Sequence, residues 1–209
     1  MTDILLITFT ITLLFMSIAN RLYTYINILI FQGIILFGVT YLSLKEINTV
    51  NLMLILLETI VFKAFAVPLF IKYLIKRNNI TREAEPYLPN FISLIIVTLI
   101  IVVNIILSSA VDDTYIDKTY FVVALSNLFT GLYLIVSRKK IITHVIGYLV
   151  IENWVFVLAL AVGNEMPGLV NLGIMLDIFA SVLILGIFFN KLGDVLKDPD
   201  VNLLRNLKD

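Results

Sequence analysis

Cysteine is absent from the 209-residue chain, which excludes a disulfide framework, a thiolate metal site, cysteine-held iron–sulfur clusters and a cysteine nucleophile. Histidine occurs once, as His144, so a metal or haem held by histidines of this chain alone is not expected. Charge is also scarce. Only 14% of residues are charged, and 15 basic residues balance 15 acidic ones, against about 25% charged in a typical soluble domain. Zero net charge gives no reason to expect a nucleic acid or other polyanionic partner. A Gly-rich phosphate loop, a Ser–His–Asp set and zinc-ligand spacings are all missing. No cofactor is expected on this chain.

What remains is apolar. Hydrophobic residues make up 60% of the chain and the mean hydropathy is +1.03, more apolar surface than a soluble core of this size would hide. The solvent that fits such a composition is a lipid bilayer. Runs long enough to cross about 30 Å of hydrocarbon lie near residues 4–19, 27–44, 50–75, 88–110, 120–137, 141–162 and 168–190. Each far exceeds the roughly 10 residues of a barrel strand and none alternates cleanly, so the backbone is expected to satisfy itself in helices. The expected fold is an all-α integral membrane protein of seven transmembrane helices. The first run follows Met1-Thr2-Asp3 without a basic n-region or a small-residue cleavage site, and is read as a retained span.

Charged residues and helix breakers fall between the runs. Arg21, then Lys72, Lys76, Arg77 and Arg82, then Arg138, Lys139 and Lys140, then Lys191, Lys197, Arg205 and Lys208 lie on one side. The other side has only Lys45 and Lys118. Twelve against two, under the positive-inside rule, places the C-terminus in the cytoplasm and the N-terminus outside. The acidic cluster Asp112, Asp113 and Asp117 then falls outside as a solvated loop. The tail, 191–209, is too short to fold alone and reads as a segment that docks on a partner.

The chain repeats itself weakly at an offset near 120 residues. Gln32 falls opposite Glu152, Asn51-Leu52 opposite Asn171-Leu172, and Glu58 one residue out of register with Asp177. The offset reads either as a duplication or as the compositional likeness of apolar helices. As a duplication, it divides the chain into a three-helix unit (1–80), a linking transmembrane helix with its loops (81–118) and a second three-helix unit with a tail (119–209). Parallel repeats of this kind occur in transport proteins.

Four ionisable residues fall within the spans: Glu58 and Lys63 in the third, Glu152 in the sixth and Asp177 in the seventh. A charge at mid-bilayer costs at least about 2.5–3.5 kcal/mol on insertion scales, so each is expected to face the bundle interior or a partner subunit. Either they relay protons or ions, or they form a structural ion pair that fixes helix register. Glu58 and Lys63 are five apart, roughly 140° around an α-helix, which argues against a clean pair between them and sends Lys63 toward a carboxylate on another helix. Pro68 is expected to kink this span beside Lys63. In the sixth span His144, Tyr148 and Glu152 are spaced four apart and read as one polar stripe able to pass protons. His144 reads equally as an interfacial residue beside Arg138–Lys140. Gly131, Gly147, Gly173 and Gly186 are expected to let helices approach closely, and Trp154 to be a packing or lipid-facing ring.

Several segments resemble a known family. The run Ser137-Arg138-Lys139-Lys140-Ile141-Ile142 is followed by Ile146-Gly147-Tyr148-Leu149-Val150-Ile151-Glu152-Asn153, by Leu176-Asp177-Ile178-Phe179-Ala180, and by the tail Asp200 to Lys208. In this order the segments resemble the three-helix K subunit of complex I, over about residues 119–209. The seven-span length and the Gly147–Asn153 motif resemble hydrogenase-4 component E, the extended K-like subunit of group 4 hydrogenase and formate hydrogenlyase complexes. Lys63 followed by Pro68 resembles that family's third span.

The resemblance implies a subunit without a catalytic site of its own, in a bacterial or archaeal cell (inner) membrane. Its partners would be antiporter-like and quinone-site-type membrane subunits of an oxidoreductase complex. It also implies a role in lateral proton transfer, with Asp177 at the second acid's position. The first acid's position aligns with Leu149, and Glu152 stands one turn later. The relay set is then Glu152, Asp177, Glu58, Lys63, His144 and Tyr148. A scaffold subunit without ion conduction, and a subunit of a cation/proton antiporter or other transport complex, remain as alternatives.

Overall fold

A computed structural model of the chain describes residues 1–43, 53, 56–77, 84, 86–110 and 116–162. These residues are all helical apart from short connections. Six α-helices follow one another: α1 (Thr2–Ile18), α2 (Leu22–Ser43), α3 (Val67–Arg77), α4 (Asn90–Ser109), α5 (Lys118–Ser137) and α6 (Ile141–Val162). A π-helix, Leu57–Ala66, leads directly into α3. Four of the helices, Leu22–Ser43, Asn90–Ser109, Lys118–Ser137 and Ile141–Ala161, are long and apolar enough to cross a membrane, and α1 adds a shorter apolar helix of 17 residues. The protein is a multi-pass membrane protein by helix length and hydropathy.

The six expected spans that fall among the described residues each coincide with helix, and the seventh, 168–190, lies outside them. Helix α2 begins five residues before its apolar run, at Leu22. Its first turn is made of Tyr23, Thr24 and Tyr25, which hydropathy discounts, yet tyrosine suits the membrane–water boundary. The larger departure is in the third span. Ten of its residues, Leu57–Ala66, wind as a π-helix, where each N–H bonds five residues back, as Val67 N–H does to the carbonyl of Phe62. The winding returns to α at Val67, one residue before Pro68. In the first turn of α3, Pro68 removes only a donor that would have reached back into the π-helix.

Close packing comes from small residues. Helices α5 and α6 form the most extensive helix pair, and they meet at Gly131 and Gly147. A Cβ on Gly131 would stand 2.8 Å from the Gly147 carbonyl oxygen, and one on Gly147 would stand 3.0 Å from the Gly131 oxygen. Only glycine permits that approach. Gly33 does the same between α2 and the π-helix, where a Cβ would come within 2.8 Å of the Ala64 backbone nitrogen. Gly173 and Gly186 lie outside the described residues.

Interhelical hydrogen bonds add to this packing. Asn127 donates to the Val150 carbonyl across α5 and α6 at 2.6 Å, Asn104 to Ser126 across α4 and α5 at 3.3 Å, and Tyr133 to Ser93 at 2.7 Å. In membranes such bonds average about 0.6 kcal/mol each. At one end of the bundle, Ala84 N–H bonds the Asn20 carbonyl and Tyr87 N–H the Ser137 carbonyl, so the segment entering α4 straps the α1–α2 link to the α5–α6 link.

Candidate functional site

Glu58 and Lys63 are partners. Lys63 Nζ lies 3.8 Å from Glu58 Oε1, with both side chains buried. The sequence arithmetic that argued against this pair assumed 3.6 residues per turn. In the π-helix, residues five apart follow one above the other along the hydrogen-bonding direction, and the two side chains point the same way. The expectation that they do not pair is therefore corrected by the winding of the backbone. Burial is nearly complete at Glu58, which is 1% exposed, so its charge needs partners within the protein, and Lys63 is one of them.

Lys63 also faces α6. Its Nζ stands 4.8 Å from the centroid of the Phe156 ring, an attractive cation–π placement. Phe156 follows Glu152 by one turn, and Glu152 is 6% exposed. A narrow cavity on the scale of a single water molecule is lined by Leu29, Lys63, Val67, Pro68, Leu149, Glu152 and Asn153. Lys63 and Glu152 thus share one small space, walled by the first turn of α3. Leu149 and Glu152, three apart on α6, both line it, so an acid at either position would reach the same cavity.

Beside the cavity runs a short polar chain. Asn153 Nδ2 donates to Gln32 Oε1 at 3.1 Å, and Gln32 Nε2 donates to Thr12 Oγ1 at 2.8 Å. Asn153, Gln32 and Thr12 are all buried, and the chain joins α6, α2 and α1 at the level of the carboxylates. Its residues carry no net charge and can hold a water or an amide, but only the neighbouring acids can take up and release a proton.

His144 and Tyr148 do not line this cavity. His144 Nε2 lies 2.9 Å from the Arg138 carbonyl oxygen and donates to it, which places the ring at the end of α6. Tyr148 is 41% exposed. Of the expected stripe, Glu152 alone is buried in the interior. Asp177 lies outside the described residues.

Arg138 is a residue the sequence reading passed over. It is read there only as part of a basic triplet that sets topology, yet it is 1% exposed. Its Nη2 donates to the Ser17 carbonyl in the last turn of α1 at 2.7 Å, where a cation complements the helix dipole. Its guanidinium carbon lies 5.8 Å from the Tyr25 ring centroid. Gln32 is another, since its place opposite Glu152 in the 120-residue offset was noted without a role. Among the described residues no group of three histidine, aspartate or glutamate side chains is placed to hold a metal ion.

No protein family model matches the chain. It is similar to the uncharacterized protein Rv0085 of Mycobacterium tuberculosis, at 26% identity over 86 residues. That stretch is 41% of this chain and spans 39% of the relative's length. No solved structure matches the chain.

Proposed function

We propose that the chain is a membrane subunit of a complex I-like, group 4 hydrogenase-type oxidoreductase, and that it conducts protons through buried carboxylates between a redox module and antiporter-like subunits. The observation that carries the reading is that Lys63 and Glu152 line one water-sized cavity inside the bundle, while Lys63 also pairs with the buried Glu58. Three ionisable groups drawn from two helices, in a medium that penalises each of them, are what a relay requires and what packing alone does not. Lys63 supplies the counter-charge that lets an acid ionise there. The Gln32–Asn153 contact holds the α6 turn carrying Glu152 against α2.

In this reading the chain has seven spans, its N-terminus is outside and its C-terminus cytoplasmic, and Asp177 on the seventh span is the next station beyond Glu152. Affinity purification of the full chain from its native membrane, with identification of what accompanies it, tests the assignment. Antiporter-like subunits together with a nickel–iron hydrogenase-like large subunit are the expected companions. Recovery with transport subunits and no redox subunit would move the chain to a cation/proton antiporter complex.

The Glu58–Lys63 pair favours a second reading. An ion pair within one helix, closed at 3.8 Å, also serves to hold the π winding and the register of its neighbours, as a scaffold subunit would need. Proton pumping by assembled complexes that carry Glu152→Gln separates the two readings, because the amide keeps the shape and loses the titratable group.

A further inference from the structure

A second concave site opens on another flank of α1. Helices α1, α4 and α5 enclose a groove of about 460 Å³ that runs from Leu6, Ser108 and Lys118 at one end to Leu14 and Thr98 at the other. Its walls are apolar in effect. The hydroxyls that line it are spent on their own helices: Thr10 donates to the Leu6 carbonyl, Thr98 to the Leu94 carbonyl and Ser108 to the Ile105 carbonyl. Polar character is confined to one end, where Lys118 and Thr119 open α5. The adjacent Asp117 carboxylate is occupied in capping that helix, accepting from the Thr119 and Tyr120 N–H groups. Among the described residues Lys118 has no ion-pair partner.

The dimensions select an occupant. From Thr98 to Ser108 the groove follows ten residues of α4, about 15 Å at 1.5 Å per residue, which is half of the roughly 30 Å hydrocarbon layer. That is the depth of one leaflet. An extended acyl chain fits, and a cation at the headgroup end of the groove complements a phosphate.

We propose that this groove is a phospholipid site, in which an acyl chain of the leaflet on the Lys118 side lies between α1, α4 and α5 and the phosphodiester rests on the Lys118 ammonium. The bound lipid completes the packing of α4, the least buried of the long apolar helices.

Native mass spectrometry of the full chain, purified in mild detergent and offered a phosphatidylglycerol, is the test. Wild type should retain one lipid through washes that strip the belt. Val122→Phe, which places a ring in the groove, should abolish retention. Lys118→Ala, on the surface and harmless to folding, should weaken it roughly fivefold, the worth of one basic residue near a lipid surface, and Lys118→Arg should restore it. Inorganic phosphate alone should not bind, which distinguishes a tethered headgroup from a free anion. Wild type without lipid, equal retention in all four proteins, or a dimer that Val122→Phe disperses would each overturn the proposal.

Discussion

Lys63 meets Glu58 five residues earlier on the same helix, a spacing at which an α-helix would turn the two side chains about 140° apart. The pair exists because Leu57–Ala66 is wound as a π-helix. Charge pairing and backbone winding are thus two aspects of one feature, and to disturb either is to disturb the other. Wide helical turns recur at functional sites, and here the turn carries two buried charges.

Truncating one partner should therefore do more harm than truncating both. Lys63→Met leaves the Glu58 carboxylate buried without its cation, a loss that can reach about 3–5 kcal/mol. The double variant Lys63→Met with Glu58→Gln removes both charges and should recover most of that stability. Unfolding midpoints in detergent for the wild type, both single variants and the double variant give the coupling. Additive losses would mean that the 3.8 Å contact contributes nothing.

The glycine contact between α5 and α6 gives a prediction of a different kind. Gly131→Val drives a side chain into the Gly147 carbonyl, which a Cβ already approaches to 2.8 Å. Overpacking of this sort costs about 1–3 kcal/mol, and the same substitution at an exposed α5 position such as Leu132 should cost little. Cysteine cross-linking between α5 and α6 should fall in efficiency for Gly131→Val only.

Conduction and register are separated by charge-neutral substitutions. Glu152→Gln and Asp177→Asn keep size and most hydrogen-bonding capacity but cannot titrate. Complexes carrying them should assemble at wild-type levels while proton pumping falls sharply, and Asp177→Glu should keep much of the activity. Wild-type pumping in the amide variants would leave only the scaffold role.

Topology rests on the basic residues. A reporter fused after Asp209 should read cytoplasmic and one inserted at Asp113 external. Signals from the same side would remove the seven-span arrangement.

The helices among the described residues were legible because burial in lipid leaves a long apolar signature that needs no knowledge of neighbours. Glu58, Lys63 and Glu152 were legible for the converse reason: each interrupts such a run. How they meet was not. Hydropathy carries no record of π winding, so the angle between Glu58 and Lys63 was computed for the wrong helix. Arg138 was hidden by its company, since a basic triplet between two spans reads only as a topology signal until the Ser17 carbonyl and the Tyr25 ring are seen to enclose it. Gln32, Asn127 and Asn104 are neutral, and in sequence they weigh too little against their apolar neighbours to suggest the bonds they make. The groove beside Lys118 draws on three helices distant in sequence, and no local pattern encodes it.

The short connection between α5 and α6, with their glycine-lined contact, also bears on how the protein enters the membrane. Only Arg138, Lys139 and Lys140 separate the two helices, so they can leave the translocon as one hairpin, already packed through Gly131 and Gly147. By the time ribosomal synthesis reaches Glu152, the helices that carry Thr12, Gln32, Glu58 and Lys63 have been made. Glu152 is thereby delivered late, on a preformed hairpin, to helices that already carry Lys63 beside its cavity and Gln32 beside Asn153. Order of synthesis, as much as final geometry, spares Glu152 a passage through lipid alone.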